Sequence, residues 1–287
     1  MKQAVFLYNT HAGDGKIGRY ADEIVEILAS GGYSVHGESI DYARDPFERF
    51  HGVDLVVVAG GDGTVNHVVN QMKERGVGAA LAVIPSGTTN DFAESLGMSH
   101  KPLRAAAQIA SGTVDYVDCG YVNGLYFVNV FSFGLLTTTS RRITARFQWL
   151  AKLKSILAAI DELATLKSMK LQIEADGGRF FNPEALLVLV LNGSKAGGFR
   201  FARGGALKDG LLDCVVARNK GHLRAVIALV LFLFGAQTNS VKSFRARTIQ
   251  ILSDEYEPTD ADGERGVDFP LNIECLAGEL KVIIPSL

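Results

Sequence analysis

Apolar positions in the first third of the chain fall in short unbroken runs. Ala4 to Tyr8, Asp54 to Ala59 and Ala80 to Ile84 are almost wholly apolar and end in Gly, Pro or polar residues, the pattern of parallel strands buried on both faces. Between them the period lengthens. Gly18 to Ser30 puts Tyr20, Ile24, Ile27 and Leu28 on one face and stops at Gly31-Gly32, and Val65 to Arg75 and Pro102 to Ser111 predict further helices. Strand, helix, strand in this order predicts a doubly wound α/β domain, whose ligand site forms at the carboxyl ends of the strands.

After about Gly120 the rhythm changes. Leu125 to Phe131, Met169 to Ala175, Ala185 to Leu191, Leu211 to Ala217, Thr248 to Leu252, Leu271 to Leu276 and Glu279 to Ile284 read as successive strands with few helices between. They predict a β-rich, antiparallel, sandwich-like second domain. Two helical stretches interrupt it, Phe147 to Leu166 and Leu223 to Ala236. The expected division is residues 1–120 and 121–287, with the last residues able to return to the first domain. Within the second helical stretch, Ala225 to Phe234 is apolar all round, behind Lys220, His222 and Arg224. It suits either a helix buried in the core or a surface helix entering a membrane interface with Leu231, Phe232, Leu233 and Phe234. Ten residues are about half of the roughly 20 that cross a bilayer, so no span is expected.

Charge removes one class of partner. With 29 Lys+Arg against 31 Asp+Glu the net charge is -2, which gives no global field to attract nucleic acid. Cys119, Cys214 and Cys275 are odd in number, widely spaced and set beside apolar residues. They suit buried thiols in a reducing compartment, and the cytoplasm is expected. The opening MKQAVFLYNT has too short an apolar run for a signal peptide, so the chain is read as mature from Met1.

The strongest chemical signal is Gly60-Gly61-Asp62-Gly63-Thr64-Val65-Asn66, set between a strand and a helix. Glycines allow close approach of main-chain N–H groups to a phosphate, and the helix N-terminus adds favourable partial charge. Asp62 would repel that phosphate unless it faces a metal ion, a water network or a donor; alternatively it caps its own helix. A second loop, Pro85-Ser86-Gly87-Thr88-Thr89-Asn90-Asp91, follows the next strand and should lie at the same sheet edge. Thr88 and Thr89 offer hydroxyls to phosphate, and Asn90 and Asp91 could bind water or metal; the alternative is a helix entry capped by Asn90 or Thr89. A third loop, Asn9 to Lys16, follows the first strand and is neither a Walker A nor a dinucleotide fingerprint.

GGDGTVN followed by PSGTTNDFA resembles the catalytic domain of bacterial diacylglycerol kinases and related lipid kinases, which have an NAD kinase and phosphofructokinase-like fold. VDCG at Val117 to Gly120, LNGSKAGGF at Leu191 to Phe199, ALKDGLLD at Ala206 to Asp213 and ADGE at Ala261 to Glu264 follow in that family's order, so the resemblance covers nearly the whole chain. It implies that Asn9, Thr10, His11, Ala12, Gly13, Gly60, Gly61, Asp62, Gly63, Thr64, Val65, Asn66 and Thr88 contact ATP. It implies that Glu264 is the general base, and that Asp62, Asp91 and Asp118 anchor water and Mg²⁺ beside the triphosphate. A second, structural Mg²⁺ would be held by Asp209 and the main-chain oxygens of Ala206 and Leu211; read without the resemblance, Asp209 equally suits an Asp-Gly turn. His67 departs from the family's usual Glu, and Thr10 and Ala12 stand where Asn-Pro-x-Ser is commoner.

The resulting expectation is an ATP- and Mg²⁺-dependent kinase acting on a hydroxyl of diacylglycerol or a related glycerolipid, touching the inner face of the membrane transiently. A homodimer stays open. The rival expectations are a soluble-substrate kinase of the NAD kinase type and a catalytically silent binding regulator.

Overall fold

The computed structural model describes residues 1–13, 15–134, 168–202, 204–221, 224, 227–228, 231–232, 236, 238–255 and 257–286. The predicted helix Phe147 to Leu166 lies outside these. The chain divides into two units, Met1–Asp118 with Gly278–Leu287, and Cys119–Ala277.

In the first unit the elements are β1 (Lys2–Tyr8), α1 (Ala21–Ser30), β2 (Tyr33–Ser39), β3 (Leu55–Gly60), α2 (Asp62–Glu74), β4 (Ala80–Pro85), α3 (Asp91–Ser95), α4 (Pro102–Ala110) and most of β5 (Thr113–Val122). The strands run parallel in the order β2, β1, β3, β4. Every position of β3 and β4 is buried, which is why both are unbroken apolar runs. The strand β2 was not expected. It pairs with β1 alone, and its half-exposed YSVHGES carries too little apolar character to announce a strand. Helix α1 buries Ile24 and Leu28, and it meets α4 so closely that a Cβ on Gly31 would stand 2.8 Å from the Ala110 Cβ.

The second unit holds β6 (Leu125–Phe127), β7 (Val130–Gly134), β8 (Met169–Ala175), β9 (Arg179–Phe181), β10 (Glu184–Leu191), β11 (Lys195–Ala196), β12 (Phe199–Arg200), β13 (Leu212–Arg218), β14 (Val241–Ala246), β15 (Thr248–Ser253), β16 (Thr259–Ala261), β17 (Glu264–Arg265) and the start of β18 (Leu271–Ile284). The pairings are antiparallel, with β10 between β13 and β7. Both faces of β10 are covered. Ala185, Val188 and Val190 join one core with β8 and β15, while Leu187, Leu189 and Leu191 join another with Phe201, Val215 and Val241. Each of the Val and Leu side chains contributes roughly 1.5 to 3 kcal/mol on burial, which makes β10 the axis of this unit.

Two expectations about this unit are corrected. Leu125 to Phe131 is two strands, because the main chain between them turns its N–H groups to a carboxylate described below. Leu271 to Leu276 and Glu279 to Ile284 are one strand: its first half pairs with β15, and Val282, back in the first unit, lies parallel beside Leu81. The stretch Leu223 to Ala236 is described only in part, and there it has two faces. Ala228 is buried and Phe232 packs on the second core, whereas Ile227 and Leu231 are 49% and 45% exposed. Phe232 is thus a core contact of this stretch, partly buried against the second core. Among the described residues no helix is long and apolar enough to cross a membrane. All three cysteines are free and buried, and burial pushes the Cys214 thiol well above its ordinary range.

Candidate functional site

The parallel order of the first unit sets the loops after β1, β3 and β4 side by side. Their main chains approach so closely that only glycine fits. A Cβ on Gly13 would stand 2.3 Å from the Ser86 carbonyl oxygen, and one on Gly87 would stand 2.3 Å from the Gly61 Cα. A Cβ on Gly60 would meet the Thr64 side chain at 2.4 Å, and the Ser86 N–H donates to the Gly60 carbonyl at 3.1 Å. Helix α2 begins at Asp62, three residues earlier than expected, because the extended Gly61 serves as N-cap. Half-buried Asp62 and Gly63 thus offer first-turn N–H groups that have no partner within the helix, a suitable seat for an anion.

Asp62 does not cap its own helix. Its Oδ2 accepts from the Thr89 hydroxyl at 2.9 Å and the Asp91 N–H at 3.2 Å, and its Oδ1 accepts from the Phe92 N–H at 3.1 Å. The carboxylate therefore caps α3 from outside. Asn90, expected as that cap, occupies the position with φ 55 and makes no capping bond. Its side chain instead closes on Gly87, accepting from the N–H at 2.8 Å and donating to the carbonyl at 2.9 Å. Asn9 donates to the Thr64 hydroxyl and to the Tyr42 hydroxyl, each at 3.0 Å, and accepts from the His11 N–H at 2.9 Å. Tyr42 also lies against His67, ring centroids 4.7 Å apart. Thus Asn9, His11, Thr64, Asp62, Asn90 and Asp91 are brought together with the glycines. Val65 and Asn66 are buried in α2, and Asn66 accepts from the Asn70 amide through both its carbonyl and its side chain. Thr88 is exposed, as is Thr10, while Ala12 is half-buried. Tyr42 was missed by sequence reasoning, since nothing in its polar loop announces a partner.

Asp118 is 3% exposed and accepts the Gly278 N–H at 2.9 Å, where the chain re-enters the first unit.

In the second unit Glu264 is exposed at the start of β17, opposite Ala261 in a hairpin. Two residues earlier stands the carboxylate that divides β6 from β7. Asp262 is buried, and its Oδ2 accepts from the Val128 N–H at 2.6 Å while its Oδ1 accepts from the Asn129 and Val130 N–H groups at 3.0 and 2.7 Å. Its own N–H returns to the Val130 carbonyl at 2.9 Å. The positive φ of Asp262 and Gly263, 54 and 95, then turns the chain so that Glu264 emerges. Asp262 lies inside the motif that singled out Glu264, yet its buried anchoring role was not legible.

The Asp209 carboxylate accepts the Ala206 and Leu211 N–H groups, each at 3.1 Å, and pairs with Arg245. Asp213, opposite Arg245 in the β13–β14 register, is buried. Burial pushes its carboxyl up to about 6, with the Arg245 charge opposing the rise.

Fold and loops together define a protein of the NAD kinase-like class. A family model described as the diacylglycerol kinase catalytic domain matches residues 3–122, and one described as the YegS C-terminal NAD kinase beta sandwich-like domain matches residues 129–284. A diacylglycerol kinase of Bacillus subtilis (strain 168) is 30% identical over 298 residues, covering 100% of this chain and 97% of the relative. One of Staphylococcus aureus (strain MRSA252) is 30% identical over 299 residues, covering 99% and 93%. The crystal structure of a diacylglycerol kinase from Bacillus anthracis strain Sterne superposes with a TM-score of 0.76 at 26% identity, covering 99% of this chain and 97% of that one. An NAD kinase from Archaeoglobus fulgidus in complex with ATP gives a TM-score of 0.54 at 16% identity, over 99% and 93%, a likeness of fold. The chain belongs to the diacylglycerol kinase family of lipid kinases.

Proposed function

We propose that the protein transfers the γ-phosphoryl group of ATP to a hydroxyl of diacylglycerol or a related glycerolipid. The observation that carries this reading is the interlocked loop cluster of Gly13, Gly60, Gly61 and Gly87, packed main chain to main chain at the start of α2, whose first-turn N–H groups have no side-chain cap from Gly61. The relatives named diacylglycerol kinase support the acceptor, and the ATP complex of the NAD kinase supports the donor.

The loops hold the triphosphate by main-chain N–H groups, with the Asn9, Thr64 and Tyr42 hydrogen bonds fixing the floor of the cluster. Glu264 takes the proton of the lipid hydroxyl as its oxygen bonds to the γ-phosphorus, and the bridging P–O bond breaks to release ADP. Among the described residues no three carboxylates are placed together to hold a metal ion, and both Asp62 oxygens already accept from Thr89, Asp91 and Phe92, so Mg²⁺ would enter with the triphosphate and neutralise its charge, with Asp62, Asp91 and Asp118 acting on it only through water. The lipid acceptor requires at least a transient encounter with a membrane surface.

The test incubates the purified protein and Mg²⁺ with γ-labelled ATP and, in parallel, vesicles containing diacylglycerol, vesicles without it, and NAD. Label entering lipid only where diacylglycerol is present is the expected result. Label entering NAD alone would overturn the reading in favour of a soluble acceptor, and ATP binding without transfer to any acceptor would make the protein a binding module.

A further inference from the structure

The turn Ala206 to Leu211 is where the family resemblance implies a structural Mg²⁺, and the residues present do not fit that ion. A hard cation needs several oxygen ligands with free lone pairs. Here both oxygens of the one carboxylate in the turn are engaged. Asp209 Oδ1 accepts the Leu211 N–H, and Oδ2 accepts the Ala206 N–H and pairs with Arg245 Nη2. The turn thus shows the carboxylate the N–H groups of the two residues expected to supply carbonyl oxygens. A positive charge is already there. Arg245 comes from β14, directly opposite Asp213 on β13, and its Nε lies 3.5 Å from Asp213 Oδ2. One guanidinium so faces two carboxylates, one in the turn and one in the strand that follows it. Gly205 packs into the same place: a Cβ there would stand 2.4 Å from the Gly193 carbonyl oxygen and 2.7 Å from Asp213 Oδ2. Among the described residues no group of three or more His, Cys, Asp or Glu side chains is placed to hold a metal ion.

We propose that in this chain the guanidinium of Arg245 replaces the divalent cation as the positive centre that shapes the Ala206–Leu211 turn. A planar fork suits the task, because Nη2 hydrogen-bonds the turn carboxylate while Nε lies against the strand carboxylate as an ion pair without a hydrogen bond, two separated points of positive charge that a lysine ammonium on the same stem does not supply. The inference is independent of the kinase reading, since its test uses neither nucleotide nor lipid.

The experiment follows thermal unfolding in millimolar Mg²⁺ and in chelator, without nucleotide, for the parent, Arg245→Met, Arg245→Lys and Asp209→Asn. The parent is expected to melt at the same temperature in both buffers, and both Arg245 variants to melt at least about 3 °C lower. Should Arg245→Met fail to fold, Arg245→Lys carries the comparison. A parent that Mg²⁺ stabilises, with the effect lost in Asp209→Asn, would overturn the proposal and restore the metal. Unchanged melting in both Arg245 variants would overturn it as well.

Discussion

Asp62 and Thr89 stand 27 residues apart on separate loops, yet the Thr89 hydroxyl donates to Asp62 Oδ2 at 2.9 Å. The bond matters because the same carboxylate caps α3 through the Asp91 and Phe92 N–H groups, so one side chain ties the loop after β3 to the loop after β4. Thr89→Val removes one neutral donor to a charged acceptor and should cost about 1.5 kcal/mol. Asp62→Asn also turns an amide toward N–H groups and should cost about 1 to 3 kcal/mol more. Urea unfolding of both variants and of the double variant measures the coupling. Strict additivity would mean that the pair does not hold the loops together.

Gly87 supplies the companion test for the main chain. An added Cβ would meet the Gly61 Cα at 2.3 Å, and backbone cannot swing away as a side chain can. Gly87→Ala should force the loops apart, costing about 1 to 3 kcal/mol and weakening ATP binding by at least about tenfold. Gly78→Ala is the control, because nothing stands within 4 Å of its Cβ. Equal ATP affinity in the two variants would remove the close approach from the binding site.

Loops and glycines were legible in the sequence because their chemistry is local: a run buried on both faces must be apolar, and a main chain in close contact must be glycine. Partners fixed by tertiary register were not. Asp62 reaches α3 only because β3 and β4 are neighbours, and Arg245 faces Asp213 only through the β13–β14 register. The strand β14, VKSFRA, hides for a related reason: it pairs with β13 alone, and only Val241 and Ala246 are buried. Tyr42 and Asp262 show no periodicity at all, since each acts from an irregular segment.

The helical stretch after Gly221 divides into residues that packing should punish and residues it should spare. Phe232 packs against the second core and Leu231 is 45% exposed. Phe232→Ser should lower stability by about 1 to 3 kcal/mol, and Leu231→Ser by less than about 1 kcal/mol. Thermal unfolding of the two variants checks this, and similar losses would place Leu231 in the core too.

Asp262 is a structural anchor. Its three accepted N–H bonds are charge-assisted, two of them buried and the Val130 one partly so, and Asp262→Asn, which puts an amide donor against main-chain donors, should cost at least about 3 kcal/mol. Urea unfolding reads this directly. A loss below about 1 kcal/mol would show that the main chain at Val128 to Val130 holds its course without the carboxylate.

Glu264 should behave in the opposite way. It is exposed and stands just beyond the turn that Asp262 fixes, so Glu264→Gln removes a proton acceptor without disturbing packing. Stability should stay within about 0.5 kcal/mol of the parent. Turnover of the lipid acceptor should fall by roughly 10²-fold or more with ATP affinity nearly unchanged, because a general base acts on the reacting hydroxyl rather than on nucleotide binding. Steady-state kinetics beside urea unfolding separates the two residues: Asp262→Asn loses activity together with stability, Glu264→Gln loses activity alone. Near-parental turnover in a fully stable Glu264→Gln variant would take this residue out of the mechanism and leave the proton of the acceptor to another group.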